Sequence, residues 1–169
     1  MIRALGDRKP RIDPSAFVSE AAYVVGDVEI GENSSIWPGA ILRADRFSIR
    51  IGPGSNIQDN CVVHAGFSDL TIGSNVTIGH GSMIHGAKIG NNVIIGMHAV
   101  FDRLSEVEEF CIIGAYSLVR DEIKIPGRSL AVGIPVRIIR PLKAEEIERI
   151  LSASRTYVEL GKEFKRQGL

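Results

Sequence analysis

Three of the four histidines in this 169-residue chain, His64, His80 and His85, fall within 22 residues of one another. They sit in a stretch rich in glycine and branched aliphatics, Asn56 to Gly86 (NIQDNCVVHAGFSDLTIGSNVTIGHGSMIHG). Imidazole nitrogen suits zinc and its first-row neighbours, and three histidines that leave a fourth position open are the ligand set of a catalytic rather than a structural zinc site. An ion held in this way lowers the pKa of bound water to about 7, which makes hydroxide available at neutral pH. Whether the three can meet depends on the elements that carry them.

The length suits one ordinary domain, and a hydrophobic content of 44% with only 6% aromatics points to a core of small aliphatics in thin, regular layers. Lys+Arg and Asp+Glu both total 20, so a formal net charge of zero gives no electrostatic case for nucleic acid or an anionic membrane. No apolar run approaches the ~20 residues of a membrane span, and the N-terminal MIRALGDRKPRIDP lacks the apolar segment of a signal peptide. A soluble, cytoplasmic protein is the expectation.

The strongest pattern is a period of six. Aliphatic residues recur as Val18, Val24, Ile30, Ile36, Leu42, then Ile51, Ile57, Val63, then Ile72, Ile78, Ile84, and finally Ile89, Ile95, Phe101, Val107, Ile113, Val119, Ile125. Four places after nearly every one stands a small or β-branched residue such as Ala22, Ser34, Ala40, Ser55, Cys61, Val76, Ser82 or Ala99. Between series the phase slips by three extra residues twice and by one missing residue once. Period six fits neither a 3.6-residue helix nor an alternating strand; it fits a parallel β-helix in which each hexad forms one flat side and turns a corner, three hexads closing a coil. After the repeats, Ile147, Ile150, Leu151, Val158 and Phe164 form a rough helical stripe that predicts an amphipathic helix laid on the coils, with Gly161 weakening its last turns. The expected organisation is a β-helix over residues 1–141, with hexads from about 18 to 131, and a packed helix over 142–169.

This period places the histidines. If Leu42 opens a side A, Val63 and Ile84 open the same side one and two coils later, and the residues that follow them, Arg43, His64 and His85, form an outward column spaced 21 and 21. Neighbours in it lie about one strand spacing, ~4.8 Å, apart. His80 belongs to side C, above Asp59, around a corner from His85; the intervening chain spans roughly 12 to 16 Å, too far for diverging rings to meet on one ion. Side C, whose column is Trp37, Gln58 and Gly79, could instead meet side A of a neighbour. Such a heterologous contact closes as a ring, so the expectation is a homotrimer in which His80 of one chain faces His64 and His85 of the next.

These repeats resemble the hexapeptide-repeat proteins, which implies a mainly β fold, a single-stranded left-handed parallel β-helix with a C-terminal α-helix; the handedness comes from the resemblance alone. More specifically, Leu42-Arg43-Ala44-Asp45, Asn56-Ile57-Gln58-Asp59, His64, Gly79-His80 and His85-Gly86 look like the motif set of γ-class carbonic anhydrases and their close homologues. The resemblance covers nearly the whole chain, including the Gly-Ile-Pro-Val turn. It implies Zn2+, or Fe2+ or Co2+, held by His64, His80 and His85 between subunits, and reversible hydration of CO2 to bicarbonate. It further implies interface roles for Arg43 and Asp59, with Asn56 and Gln58 lining the pocket and bonding to bound water or bicarbonate. Arg43 and Asp45 could bind bicarbonate or polarise substrate, or form an ion pair within or between subunits. The glutamates that serve as proton relays in the best-developed members are missing: Asp45 is followed by Arg46-Phe47-Ser48, and Asp69 is the one acid shortly after His64. Ser129-Leu130-Ala131 stands where many homologues carry a tyrosine.

Other features have plainer readings. His98 reads as solvated surface, Trp37 as interface packing, Asp59 as a group that orients His80. Cys61 and Cys111 occupy small inward slots, so buried free thiols are expected rather than a disulfide. Two further function classes stay open: a hexapeptide-repeat acyltransferase or acyl-CoA thioesterase, which needs one histidine as a base and a basic patch for CoA phosphates, and a trimer whose metal has no catalytic part.

Overall fold

The computed structural model describes residues 1–169. The hexads form short parallel strands stacked into a β-solenoid of about seven turns, closed at its far end by an antiparallel pair, Ser129–Val132 with Arg137–Pro141, and followed by one helix, Ala144–Gln167. The strand registers reproduce the period. On side A, Val24, Leu42, Val63, Ile84, Phe101 and Val119 stack in line. Side B stacks Ile30, Ile51, Ile72, Ile89, Val107 and Ile125, and side C stacks Val18, Ile36, Ile57, Ile78, Ile95, Ile113 and Ala131. Nearly all of these are buried, and Cys61 and Cys111 join them as free thiols. Burial raises the Cys61 thiol to about 11, so it behaves as an inert apolar filler.

Most corners place a residue in the left-handed region. The early coils supply Asn33, Gly39, Gly54, Asn60, Asn75 and Gly81, which enter it at little cost, whereas the late coils use His98, Leu104, Phe110, Tyr116, Glu122 and Arg128, with φ from 54° to 62°. His98, read as plain surface, is exposed but stacks on Tyr116 of the next coil at 5.2 Å between ring centres. The two three-residue slips follow Arg43 and His64, and they appear as a bulge in the strand Ile41–Ile51 and as a loop between Val62–His64 and Leu70–Ile72.

The outward columns give the three sides different surfaces. Side B carries Arg11, Glu29, Arg50, Thr71, Lys88, Glu106 and Lys124 in register, laced by ion pairs such as Arg50–Asp27 at 2.9 Å and Lys124–Glu106 at 3.2 Å, a face made for water. Side A carries Tyr23, Ile41, Val62, Met83, Val100 and Leu118, an apolar lane alongside the Arg43–His64–His85 column.

Side C is covered by the helix. Glu146 fixes the helix start by accepting from the Lys143 N–H at 2.8 Å and pairing with Arg140 at 2.7 and 2.8 Å; Gly168 ends it at φ 74°. The buried helix positions are Ile150, Ser154 and Gly161, and Tyr157 and Phe164 pack on Trp37, so the expected apolar stripe includes Ile150 and Phe164 but omits Ser154, Tyr157 and Gly161. A Cβ on Gly161 would lie 3.2 Å from the Ser35 Cβ: the glycine marks where helix and sheet approach most closely, and is no mere weak point. Trp37 is buried against Phe17, Tyr157 and Phe164 in edge-to-face contacts. The expected role of Trp37 in subunit packing is therefore corrected to packing within the chain, and side C cannot present its Trp37 column to a neighbour; what it leaves open is the corner toward side A, where Asp59 and His80 stand.

Candidate metal centre

Arg43, His64 and His85 occupy equivalent positions on three adjacent strands, as the register of Arg43 with His64 and of His64 with His85 shows. The imidazoles of His64 and His85 lie nearly parallel, 12° apart in plane and 5.2 Å between centres. Gly66, in the loop after His64, leaves a cradle beside both: a Cβ there would lie 2.6 Å from the His64 Cε1 and 3.1 Å from the His85 Nε2. Any side chain at 66 would crowd both rings.

His80 stands alone around the corner. Its Nδ1 meets the Asp59 Oδ2 at 2.8 Å, which leaves Nε2 free and fixes the ring, the arrangement by which a carboxylate orients a metal-binding histidine. Within one chain no three His, Cys, Asp or Glu side chains converge on a common point. The chain thus presents a pair of imidazoles on one face and a single one on another.

The polar groups around these rings are engaged in ways that spacing could not show. Arg43 pairs with Asp45 and places its Nη2 3.3 Å from the His64 Nδ1, while Asp45 Oδ1 lies 3.2 Å from the His64 Nε2. Arginine only donates, so Nδ1 is the acceptor and the proton of His64 sits on Nε2, directed at Asp45. Partial burial opposes ionisation of Asp45, but the His64 hydrogen bond and the Arg43 charge outweigh it and hold the carboxyl below its usual range. The Arg8 guanidinium, from the N-terminal segment, donates to the backbone carbonyl of Asp45. Gln58 is only 4% exposed; its Oε1 accepts from the His80 N–H at 3.2 Å and its Nε2 donates to the Asn56 Oδ1 at 3.1 Å. Asn56 is fully buried beneath the helix and donates to the Thr77 Oγ1 at 2.9 Å, so in the single chain it reaches the site only through Gln58.

Sequence reading passes over several neighbours of the site. Asp102 continues the His64–His85 column once the one-residue deletion between Ile84 and Ile89 is counted, and its Oδ1 stands 3.8 Å from the His85 Nδ1. Phe67 meets His85 edge to face at 5.2 Å. Nothing in the hexad pattern marks Phe67, because it lies on an inserted loop.

A family profile described as bacterial transferase hexapeptide (six repeats) matches residues 69–103. Over 150 residues the chain is 44% identical to a Methanocaldococcus jannaschii protein provisionally named a carbonic anhydrase, covering 88% of this chain and 94% of that one. It is 38% identical over 161 residues to γ carbonic anhydrase 2, mitochondrial, of Arabidopsis thaliana, covering 91% of this chain but spanning only 58% of that relative's length. Among solved structures, a Bacillus cereus protein provisionally named an acetyltransferase superposes with a TM-score of 0.97 at 36% identity, covering 98% of this chain and 97% of that one. Fold, repeat and whole-length likeness agree: the chain belongs to the γ-carbonic-anhydrase family of hexapeptide-repeat proteins.

Proposed function

We propose that three copies of this chain close into a ring in which His64 and His85 of one copy and His80 of the next hold a zinc-class ion, and that the site so formed hydrates CO2 reversibly to bicarbonate. The observation that carries this reading is the two-plus-one division of the imidazoles: a parallel pair beside an open cradle on side A, and a third ring, already oriented by Asp59, at the corner between sides C and A. The surfaces favour the same contact. Side B is charged and side C is occupied by the helix, while the apolar lane of side A runs beside the paired histidines and asks for a partner. A contact between unlike surfaces closes as a ring when its rotation is a whole fraction of a turn, and sides set about 120° apart in a triangular coil meet that condition for three copies.

The donor set fits the ion. Three neutral imidazoles suit zinc, iron(II) or cobalt(II), and Gly66 leaves room beside two of them. When bound, such an ion supplies the Lewis acidity that makes a hydroxide nucleophile from water near neutral pH. The remaining chemistry belongs to the chain. As a neutral ligand through Nε2, His64 would carry its proton on Nδ1 instead and would leave its contacts with Asp45 and Arg43, which frees both charged groups for a neighbouring subunit. Asp59 holds His80, and Gln58, braced by Asn56, keeps one Nε2–H to offer a bound oxygen. No glutamate follows Asp45 or His64, so proton export to buffer is expected to limit turnover.

Protein purified without a polyhistidine tag should carry about one ion per chain, and stopped-flow CO2 hydration should rise with imidazole-type buffers that take over proton export. Metal-free trimers would end this reading, and loaded trimers inert in strong buffer would remove its enzymatic half. The likeness to a Bacillus cereus protein named for acetyl transfer supports a second reading, acyl transfer from coenzyme A. That reading predicts saturable acetyl-CoA binding with a single histidine needed and no requirement for metal.

A further inference from the structure

The three histidines are not held alike. His80 has a 2.8 Å hydrogen bond to Asp59, and His64 lies between Arg43 at 3.3 Å and Asp45 at 3.2 Å. His85 has neither: its nearest carboxylate, Asp102, stands 3.8 Å from Nδ1, beyond hydrogen-bond range, so its ring is limited by packing alone. That packing is the stacked His64 ring and the Phe67 ring, which meets His85 edge to face.

Phe67 is itself 54% exposed, too open for burial to fix it. What fixes it is a cation. The Arg103 guanidinium lies 5.1 Å over the Phe67 ring centre, and the Arg103 Nε donates to the Asp121 Oδ2 at 2.8 Å, so the guanidinium is anchored from behind. The loop that carries Phe67 is pinned at both ends: Ala65 is buried, and Asp69 accepts from the Ser48 backbone N–H at 2.9 Å and hydroxyl at 2.7 Å. Asp121, Arg103, Phe67 and His85 thus form one continuous stack that starts two coils away from the imidazole and ends on it.

We propose that Arg103, anchored by Asp121, is a positioning residue that acts through Phe67 to hold the His85 imidazole at the angle metal binding needs. This rests on the three-histidine reading above. The stack takes the place of the hydrogen-bonded carboxylate that His85 lacks. Its parts lie on exposed loops and corners, so removing them spares the fold.

The test uses the 169-residue protein in its assembled form and zinc alone as the probe, with two readouts: zinc affinity by competition with a chelator, and the His85 ring signals of metal-free, histidine-labelled protein by NMR. Arg103→Met and, separately, Phe67→Leu should each weaken zinc by about 10-fold, the low end for loss of a group that orients a ligand. Arg103→Met, which leaves the Phe67 ring in place, should also move or broaden the His85 signals, and melting temperature should stay within about 2 °C in both variants. Arg103→Lys, which keeps the cation, and Phe67→Tyr, which keeps the ring, should restore most of both. Zinc affinity within twofold of the parent in both Arg103→Met and Phe67→Leu, or unmoved His85 signals in Arg103→Met, overturns the proposal. If the parent itself binds no zinc, the three-histidine reading has failed instead, and the stack is judged on the metal-free His85 signals: unmoved in Arg103→Met, they overturn it; moved, with recovery in Arg103→Lys, they support it.

Discussion

The divided histidine set makes a quantitative prediction about mixed trimers. His64 and His85 stack at 5.2 Å on one face, whereas His80 points from another corner and no three donors converge in one chain. On the proposed reading, each site draws two ligands from one copy and one from its neighbour. Structural zinc sites with four ligands are worth about 10–16 kcal/mol, so one ligand contributes about 3–4 kcal/mol, and His80→Ala or His85→Ala alone should weaken binding by about 100- to 1000-fold. Now let the two variants be co-expressed in equal amounts. Where a His80→Ala chain supplies the intact His64–His85 face and a His85→Ala chain supplies the intact His80 corner, the site is complete. With random assembly about a quarter of the interfaces meet that condition, so the mixture should carry about 0.25 ion per chain while each variant alone carries almost none. Metal content by mass spectrometry after gel filtration reads this directly, and differently tagged chains allow mixed trimers to be isolated. If the mixture stays as empty as its components, the ligands are not shared across a subunit boundary and the reasoning from register to ring is wrong.

Three further perturbations test other parts of the argument. Met83, 46% exposed in the apolar lane of side A, should not tolerate charge: Met83→Glu is expected to shift the assembly toward monomer in light scattering and to lose metal with it, and a stable, loaded trimer would show that side A is not the contact. On the helix seam, Gly161→Ala gains about 0.8–1 kcal/mol of helix propensity but adds a Cβ 3.2 Å from that of Ser35, so its stability should change by no more than about 0.5 kcal/mol. Gly161→Leu should cost about 1–3 kcal/mol in urea unfolding, and a neutral leucine would mean that the helix does not lie so close. At the helix start, hydrogen bonds from Arg140 and Lys143 pull the Glu146 carboxyl down from 4.5 to about 2. Because the folded value is the lower one, its contribution is present above about pH 4.5 and fades as pH falls toward 2. The gap in melting temperature between the parent and Glu146→Gln should close over that window; a gap independent of pH would refute the assignment.

Much of this protein is legible without coordinates because its order is local. A hexad closes one side and one corner using residues within six positions of each other, so the inward columns and the alignment of Arg43, His64 and His85 follow from counting, slips included. Counting fails where a residue leaves the period. Phe67 lies on an insertion, and its contacts with His85 and with Arg103, 36 positions later, depend on how two coils happen to stack. The helix stripe announces that something will be covered, yet not which side. Only the packing of Phe164 and Tyr157 against Trp37, together with the gap at Gly161, selects side C and buries Asn56 beneath it. The sequence by itself therefore determined the coil, its core and which residues share a face, because these depend on a repeating backbone. The tertiary structure decided what each outward side chain touches, because those contacts join residues far apart in the chain whose meeting has no period to betray it.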